Sequence, residues 1–86
     1  MTEAGRLAHV RGLTLAGRWE VDLRHGEPRM RERGVTYADV EHGLVHARRC
    51  KVQDNGRWKL ASTDRAGDEL TLIAVVTDGV LVVTVF

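Results

Sequence analysis

The sequence predicts an α+β fold in which two short helices pack on one face of an antiparallel β-sheet. The first half of the chain contains signals that start and stop helices, whereas the second half is rich in β-branched residues. The second half also contains Asn55-Gly56 and Asp78-Gly79, dipeptides that favour tight β-hairpins because both turn positions need positive φ. A chain of 86 residues builds one core, which the helices and the sheet must share.

The chain divides into an N-terminal segment, residues 1–17, and a single domain, residues 18–86. Leu7 and Val10 have helical spacing, but Gly12 interrupts the pattern. The N-terminal segment is therefore expected to be either a weakly structured arm or a short helix.

A strand and two helices follow in order. Residues 18–23 alternate apolar and charged side chains, which is typical of a half-buried strand. A helix is predicted over residues 26–33, with Gly34 as its left-handed C-terminal cap. Thr36 begins a capping box that starts a second helix over residues 37–48. The residues expected on one face of this helix are Tyr37, Val40, Leu44 and Ala47.

The two hairpins are predicted to join residues 50–54 to 57–61 and residues 70–77 to 80–86. Two-residue turns place Lys59 opposite Val52, and in the second hairpin they pair the following residues: Val76 with Leu81, Ala74 with Val83, and Leu72 with Val85. The predicted core face is Leu70, Leu72, Ala74, Val76, Leu81, Val83 and Val85.

The opposite face of the second hairpin carries no charged residue. It consists of Thr71, Ile73, Val75, Thr77, Val80, Val82, Thr84 and Phe86. A sheet face in contact with water usually carries charged side chains, so this face is expected to be covered. The cover is either the N-terminal segment or another chain.

Composition argues against several functional classes. No apolar run is long enough to span a membrane, and no hydrophobic stretch near the N-terminus indicates a secretion signal. Cys50 is the only cysteine, so no intrachain disulfide forms and a cytoplasmic location is expected. A net charge of +1 predicts weak or no nucleic-acid binding. No phosphate-binding loop, nucleophile elbow or zinc finger is present, and no cofactor is expected.

The segment HGEPRMRERGV, residues 25–35, resembles the His-Ala-x-x-Arg-Met-x-x-Arg-Gly-Ile opening of a small bacterial family of domains of unknown function. The family continues with a helix and two hairpins, and the resemblance extends over about residues 19–86. Such domains are grouped with the RelE-like, BrnT-like and MqsR-like toxins in a ribonuclease-superfamily fold. The resemblance implies a RelE-like α+β domain and a role in a toxin system. The chain departs from the motif at Gly26 and Pro28.

His25, Arg29 and Arg33 are the candidate catalytic residues, since their spacing places them on one side of a helix. RNA cleavage by attack of a 2′-hydroxyl needs a proton acceptor, a proton donor and cations near the phosphate, and these residue types supply part of that set. The alternative, which we favour, is that His25 caps the helix and the arginines pair with nearby carboxylates.

His42, His46 and Cys50 repeat every fourth residue, a spacing compatible with metal binding. No fourth ligand is evident in the sequence, and the helix is expected to end near Arg48. A solvated helix face is the better interpretation, and no metal site is predicted.

The candidate partner-binding residues lie in the hairpins. Arg57 and Trp58 belong to a local basic patch, in which an arginine-flanked tryptophan could be buried in the core, anchor a protein partner or stack on a base. The other candidates are Ile73, Val75, Val82 and Phe86.

These features are consistent with two functions. The favoured one is a non-enzymatic antitoxin or immunity protein that binds and neutralises a toxin encoded next door, as a monomer or a homodimer. The near-neutral charge, the altered motif and the incomplete acid–base set favour it. The alternative is a metal-independent endoribonuclease toxin that uses His25, Arg29 and Arg33.

Overall fold

The computed structural model describes residues 1–86 and has an α+β fold, as the sequence predicts, with three helices on one face of a five-stranded sheet. The helices are α1 (Glu3–Leu15), α2 (Gly26–Arg33) and α3 (Tyr37–Val45), and the strands are β1 (Trp19–Val21), β2 (Arg49–Val52), β3 (Trp58–Thr63), β4 (Glu69–Val76) and β5 (Val80–Val85). The order across the sheet is β1-β5-β4-β3-β2. The short β1 runs parallel to β5, and all other neighbours are antiparallel.

The N-terminal segment forms a helix rather than a loose arm. Thr2 caps α1 by accepting a hydrogen bond from the N–H of Gly5 at 3.0 Å. Val10 is fully buried and belongs to the same core as the sheet residues. Because α1 packs on that side, it does not cover the opposite sheet face, and of the two alternatives for that cover the N-terminal segment is excluded.

Helices α2 and α3 begin where the sequence predicts. Gly34 ends α2 at φ 65°, a left-handed conformation that glycine adopts without a Cβ penalty. The capping box of α3 is present: the N–H of Asp39 donates to Thr36 Oγ1 at 3.1 Å, and Asp39 Oδ2 accepts the N–H of Thr36 at 3.0 Å. Helix α3 ends at Val45 rather than at residue 48, because the chain must turn back before β2 begins at Arg49.

One core joins the helices to the sheet. The helices contribute Val10, Met30, Val40 and Leu44. Most of the sheet's contribution consists of Val21, Cys50, Leu60, Leu70, Leu72, Ala74, Val80, Val82 and Val85. No helix in the structure combines the length and the apolar character needed to cross a membrane.

Gly26 marks a very close approach between a helix and the sheet. A Cβ atom at this position would lie 2.8 Å from Val21 Cγ1 and 3.0 Å from the carbonyl oxygen of Val82. The second turn of α2 is tied to the same part of the sheet, because Arg29 Nε donates to the carbonyl oxygen of Val85 at 3.2 Å. Glycine is therefore required where α2 begins.

The β2–β3 turn has three residues, 54–56, instead of the predicted two. Gly56 closes the turn at φ 83°, which is typical of a type I turn followed by a left-handed residue. The extra residue shifts the register by one position, so Lys59 lies opposite Lys51 and not opposite Val52. The predicted register of this hairpin is wrong.

The β4–β5 turn also has three residues, 77–79, so Val76 pairs with Val80 and not with Leu81. A β-bulge between Ile73 and Ala74 in the ladder shifts the register again and restores the predicted pairing of Leu72 with Val85. The predicted register is therefore wrong only on the turn side of the bulge.

This register changes which residues of β5 face the helices, since a shift of one residue exchanges the two faces of a strand. Val80 and Val82 are buried in the core, although the sequence predicts them on the other face. Leu81 and Val83, which are predicted core residues, are half-buried and lie outside the core cluster.

Candidate functional site

The sheet face opposite the helices, named the outer face below, is covered by no element of the chain. All three helices pack on the inner face of the sheet, where they share one core with Leu60, Leu72 and Val82. The residues that alternate with these core positions form the outer face. Ile73 is one of them, since it lies outside the core cluster. Its side chain is nevertheless only 6% exposed, because Lys59 and Thr84 flank it on the adjacent strands.

Four apolar residues form a patch on the outer face, named the outer apolar patch: Ile73, Val75, Leu81 and Phe86. Val75 and Leu81 lie directly opposite each other on β4 and β5. Phe86 lies on the far side of Ile73 from that pair, where it exchanges two backbone hydrogen bonds with Thr71, at 2.9 and 3.2 Å. Val75 is 37% exposed and Phe86 is 45% exposed, so the patch is open to a partner.

The residues predicted to bind a partner do not share one surface. Ile73, Val75 and Phe86 lie on the outer face. Val82 is fully buried between the sheet and the helices, so its assignment as a partner-binding residue is wrong. The shifted register of β5 is the physical reason.

Trp58 also faces the helix side of the sheet. It lies opposite Ala74, a fully buried core residue, and it is partly buried against the core cluster. Arg57 is exposed beside the β2–β3 turn. The Trp58 side chain thus packs mainly against the core, whereas the exposed Arg57 side chain is accessible to a partner.

Positively charged side chains are concentrated on the outer face of β2 and β3. Lys51 and Lys59, the only lysines of the chain, lie directly opposite each other and are exposed. Neither lysine takes part in an ion pair. Arg49 on the same strand differs, because its Nε lies 2.9 Å from Glu3 Oε2. Lys51 and Lys59 are named the lysine pair below.

The three residues of the catalytic hypothesis are not assembled into one site. The His25 side chain is 76% exposed, and its Nδ1 lies 3.0 Å from Asp22 Oδ2. Arg29 donates to Glu32 Oε2 at 2.9 Å as well as to the β5 backbone. Arg33 is exposed at the end of α2. No side-chain hydrogen bond or ion pair connects these three residues to one another.

Asp22 organises the start of α2. Its carboxylate accepts the backbone N–H of His25 at 2.9 Å, and its carbonyl oxygen accepts the N–H groups of Gly26 and Glu27 at 2.9 and 3.0 Å. The hydrogen bond from the His25 backbone, followed by the contact with its ring, lowers the pKa of the Asp22 carboxyl. An ionised Asp22 therefore caps the helix and orients the imidazole of His25.

His42 on α3, His46 at the C-terminal cap of α3 and Cys50 do not form a metal centre. The rings of His42 and His46 have centroids 4.3 Å apart, whereas Cys50 is buried in the core. Burial raises the pKa of the Cys50 thiol. The structure contains no group of three or more histidine, cysteine, aspartate or glutamate side chains that could hold a metal ion.

Two shallow depressions adjoin these surfaces. The first, about 530 Å³, lies between β1 and the β4–β5 turn and includes Val75 and Leu81, so it extends the outer apolar patch. The second lies between the ends of α1 and α3 and includes His42 and His46. The candidate catalytic residues of α2 line neither depression.

Comparisons with protein-family models, with curated proteins and with solved structures find no match to this chain.

Sequence reasoning missed Leu81 as a surface residue and missed the opposition of the two lysines. A signal for the lysines is present in the first hairpin. A register that pairs Cys50 with Leu60 and Val52 with Trp58 keeps these apolar residues on one face, and that register also places Lys51 opposite Lys59.

Proposed function

We propose that the protein is a non-enzymatic binding module of a bacterial toxin system, which acts in the cytoplasm and neutralises a toxin by binding it through the outer apolar patch. The observation that carries this proposal is the uncovered sheet face on which Val75 and Phe86 remain exposed. A contiguous exposed apolar patch on a small domain typically marks an interaction surface.

The energetics favour a partner on this face. Fully burying a valine, leucine or phenylalanine side chain contributes about 1.5–3 kcal/mol. In the isolated chain Val75, Leu81 and Phe86 realise only part of that contribution, since all three retain contact with solvent. A partner that covers the patch removes the remaining apolar surface from water. A rigid sheet also presents the patch with little conformational entropy left to lose.

The assignment to a toxin system rests on the resemblance of residues 25–35 to the RelE-related family. In support, α2 and α3 follow a first strand and precede four sequential antiparallel strands, the layout that the resemblance implies for helices and hairpins. Fold analogy does not distinguish a toxin from its inhibitor. The choice between them is therefore argued from the site.

One observation favours the endoribonuclease alternative. The contact between Asp22 and the Nδ1 of His25 leaves Nε2 without a partner, an arrangement that suits a general base. Against it, Arg29 is engaged by Glu32 and by the backbone of β5, so a phosphate would have to compete for it. The binding module is the function that the site supports best.

The proposal is tested with the product of the gene adjacent to the one that encodes this chain. That product is expressed in bacteria alone and together with this chain, and growth and co-purification are measured. We expect the adjacent product to arrest growth, this chain to relieve the arrest, and the two proteins to elute as one complex. Val75→Asp and Leu81→Asp should each abolish the complex and the rescue.

The matched control is Leu15→Asp, which places the same charge at a 71% exposed leucine on α1. It should leave rescue intact. Absence of any complex, or a complex that tolerates both patch variants, would overturn the proposal. Growth arrest by this chain alone, relieved by His25→Ala, would establish the endoribonuclease instead.

A further inference from the structure

We infer that the lysine pair is the recognition site for an acidic segment of the protein partner, so that carboxylate side chains of the partner lie beside the apolar residues that dock on the outer apolar patch. This inference rests on the proposed function and adds the chemistry of the partner to it. Its physical basis is the position of Lys51 and Lys59 in the sheet.

The lysine pair is continuous with the outer apolar patch. Lys51 lies opposite Lys59 on β3, Lys59 lies opposite Ile73 on β4, and Ile73 lies opposite Thr84 on β5. Lys51, Lys59 and Ile73 therefore lie in one row across the outer face, and this row joins the lysine pair to the outer apolar patch. A partner that covers Ile73 necessarily comes within reach of Lys59.

The positive charge of this row is not compensated within the chain. Neither lysine has a carboxylate within ion-pair distance, and exposed Arg57 at the beginning of the same hairpin arm has none either. Arg49 differs from these three residues, because its guanidinium forms an ion pair with the Glu3 carboxylate. The uncompensated cations thus lie together at one margin of the outer face.

Two lysines directly opposite each other destabilise a sheet, because like charges repel across the strand pair. The chain offers only two lysines, and the fold brings both to this one pair. An anionic group placed between them converts the repulsion into two attractive contacts. Binding of an anion there is favoured by relief of repulsion as well as by direct attraction.

The surroundings favour carboxylates of a protein over phosphates of a nucleic acid. Lys59 lies opposite Ile73, and Val75 follows two residues further along β4, so apolar side chains that offer nothing to a phosphate backbone adjoin the lysine pair. At the opposite margin Glu20 lies beside Leu81 and would repel phosphates. Nucleic-acid affinity depends on many neutralised phosphates, and two or three cations supply little of it.

The test measures binding of defined probes to the full-length, isotopically labelled chain by nuclear magnetic resonance. The probes are hexaglutamate, hexaglutamine and a uridine hexanucleotide. We expect hexaglutamate to shift the backbone amide signals of Lys51, Arg57 and Lys59, and hexaglutamine to leave them unchanged. The uridine hexanucleotide should bind more weakly than hexaglutamate.

Two charge-matched double variants make the test specific. Lys51→Gln with Lys59→Gln should weaken hexaglutamate binding by at least about threefold, the upper part of the range for exposed ion pairs. Arg24→Gln with Arg65→Gln removes the same charge from exposed positions outside the row and should leave the affinity nearly unchanged. Equal weakening by both double variants, or tighter binding of the uridine hexanucleotide, would overturn the inference.

Failure of this inference is distinguishable from failure of the proposed function. Suppose that Val75→Asp abolishes the complex with the adjacent gene product but the two lysine substitutions leave the affinity of that complex unchanged. The proposed binding function is then supported, and recognition of an acidic segment by the lysine pair is rejected. If hexaglutamate binds at the lysine pair but no complex forms with the adjacent product, the anion site stands and the proposed function does not.

Discussion

Glu3 on α1 accepts the backbone N–H of Cys50 through Oε2 at 2.9 Å, so a helix side chain occupies the place of a neighbouring strand at the β2 edge of the sheet. Arg6 donates to the carbonyl oxygen of the same residue at 3.0 Å. Both backbone groups of Cys50 are therefore satisfied from α1. An added strand would have to displace these contacts, which protects this edge from unwanted pairing and leaves the outer face as the accessible surface of the sheet.

The contact between Glu3 and Cys50 predicts a specific pH dependence of stability. The Cys50 N–H, followed by Arg49, lowers the pKa of the Glu3 carboxyl. A carboxyl with a lowered folded-state pKa stabilises the fold above its unfolded pKa, and this contribution is lost as pH falls through the folded value. We expect the melting temperature to decrease below about pH 4.5 and Glu3→Gln to show a smaller decrease.

Circular dichroism melts across this pH range check the prediction. The control is Glu41→Gln, which changes an exposed glutamate that makes no hydrogen bond. It should reproduce the parent profile, including the contributions of Asp22 and Asp39, whose carboxyl pKa values are also lowered by hydrogen bonds from the backbone. The explanation fails if Glu3→Gln and the parent show the same profile.

Two glycine substitutions are expected to change stability in opposite directions. Gly26→Ala inserts a Cβ atom 3.0 Å from a backbone oxygen and should destabilise the fold by about 1–3 kcal/mol. Gly12→Ala adds a Cβ atom to α1 with no atom within 4 Å and should stabilise it by roughly 0.5–1 kcal/mol. Urea denaturation measures both. A neutral Gly26→Ala would show that α2 sits further from the sheet.

Aspartate substitutions distinguish the two faces of β4 and β5. Val82 is fully buried, so Val82→Asp places an unpaired charge in the core and should unfold the protein. Val75→Asp introduces the same group at a 37% exposed position on the outer face and should preserve the fold. One-dimensional proton spectra report both outcomes. A folded Val82→Asp variant would contradict the observed register.

Lys51→Glu should stabilise the fold while it removes the proposed anion site. The substitution replaces a like-charge pair with an opposite-charge pair across the strands, a change of roughly 0.2–1 kcal/mol. The gain should diminish at high salt, because exposed charges are screened. Arg24→Glu makes the same change of charge at an exposed position outside the strands and serves as the control in urea denaturation. No gain at low salt would mean that the lysines do not repel each other.

Local signals account for what could be predicted from the sequence. The cap at Gly34 and the capping box of Thr36 and Asp39 depend on residues close together in the chain, so the end of α2 and the start of α3 are predicted correctly. The parallel pairing of β1 with β5 joins Trp19 to Val80 and is not encoded by any local motif. It depends on the packing of the helices between them.

The hairpin registers show where sequence reasoning fails. In the second hairpin, pairing Val76 with Val80 or with Leu81 joins two apolar residues, so the alternation does not decide between a three-residue and a two-residue turn. The β-bulge between Ile73 and Ala74 then exchanges the faces again. The candidate site inherits the same error, since Val82 and Leu81 exchange their roles as core and surface residues.

The most direct measurement of the central claim is an amide chemical-shift map of the isotopically labelled chain in complex with the unlabelled product of the adjacent gene. We expect the perturbed residues to cluster on the outer face, around Ile73, Val75 and Leu81, and to extend across Lys59 toward the β2 edge. Perturbations centred on α2 around His25 and Arg29, with the outer face unchanged, would contradict it.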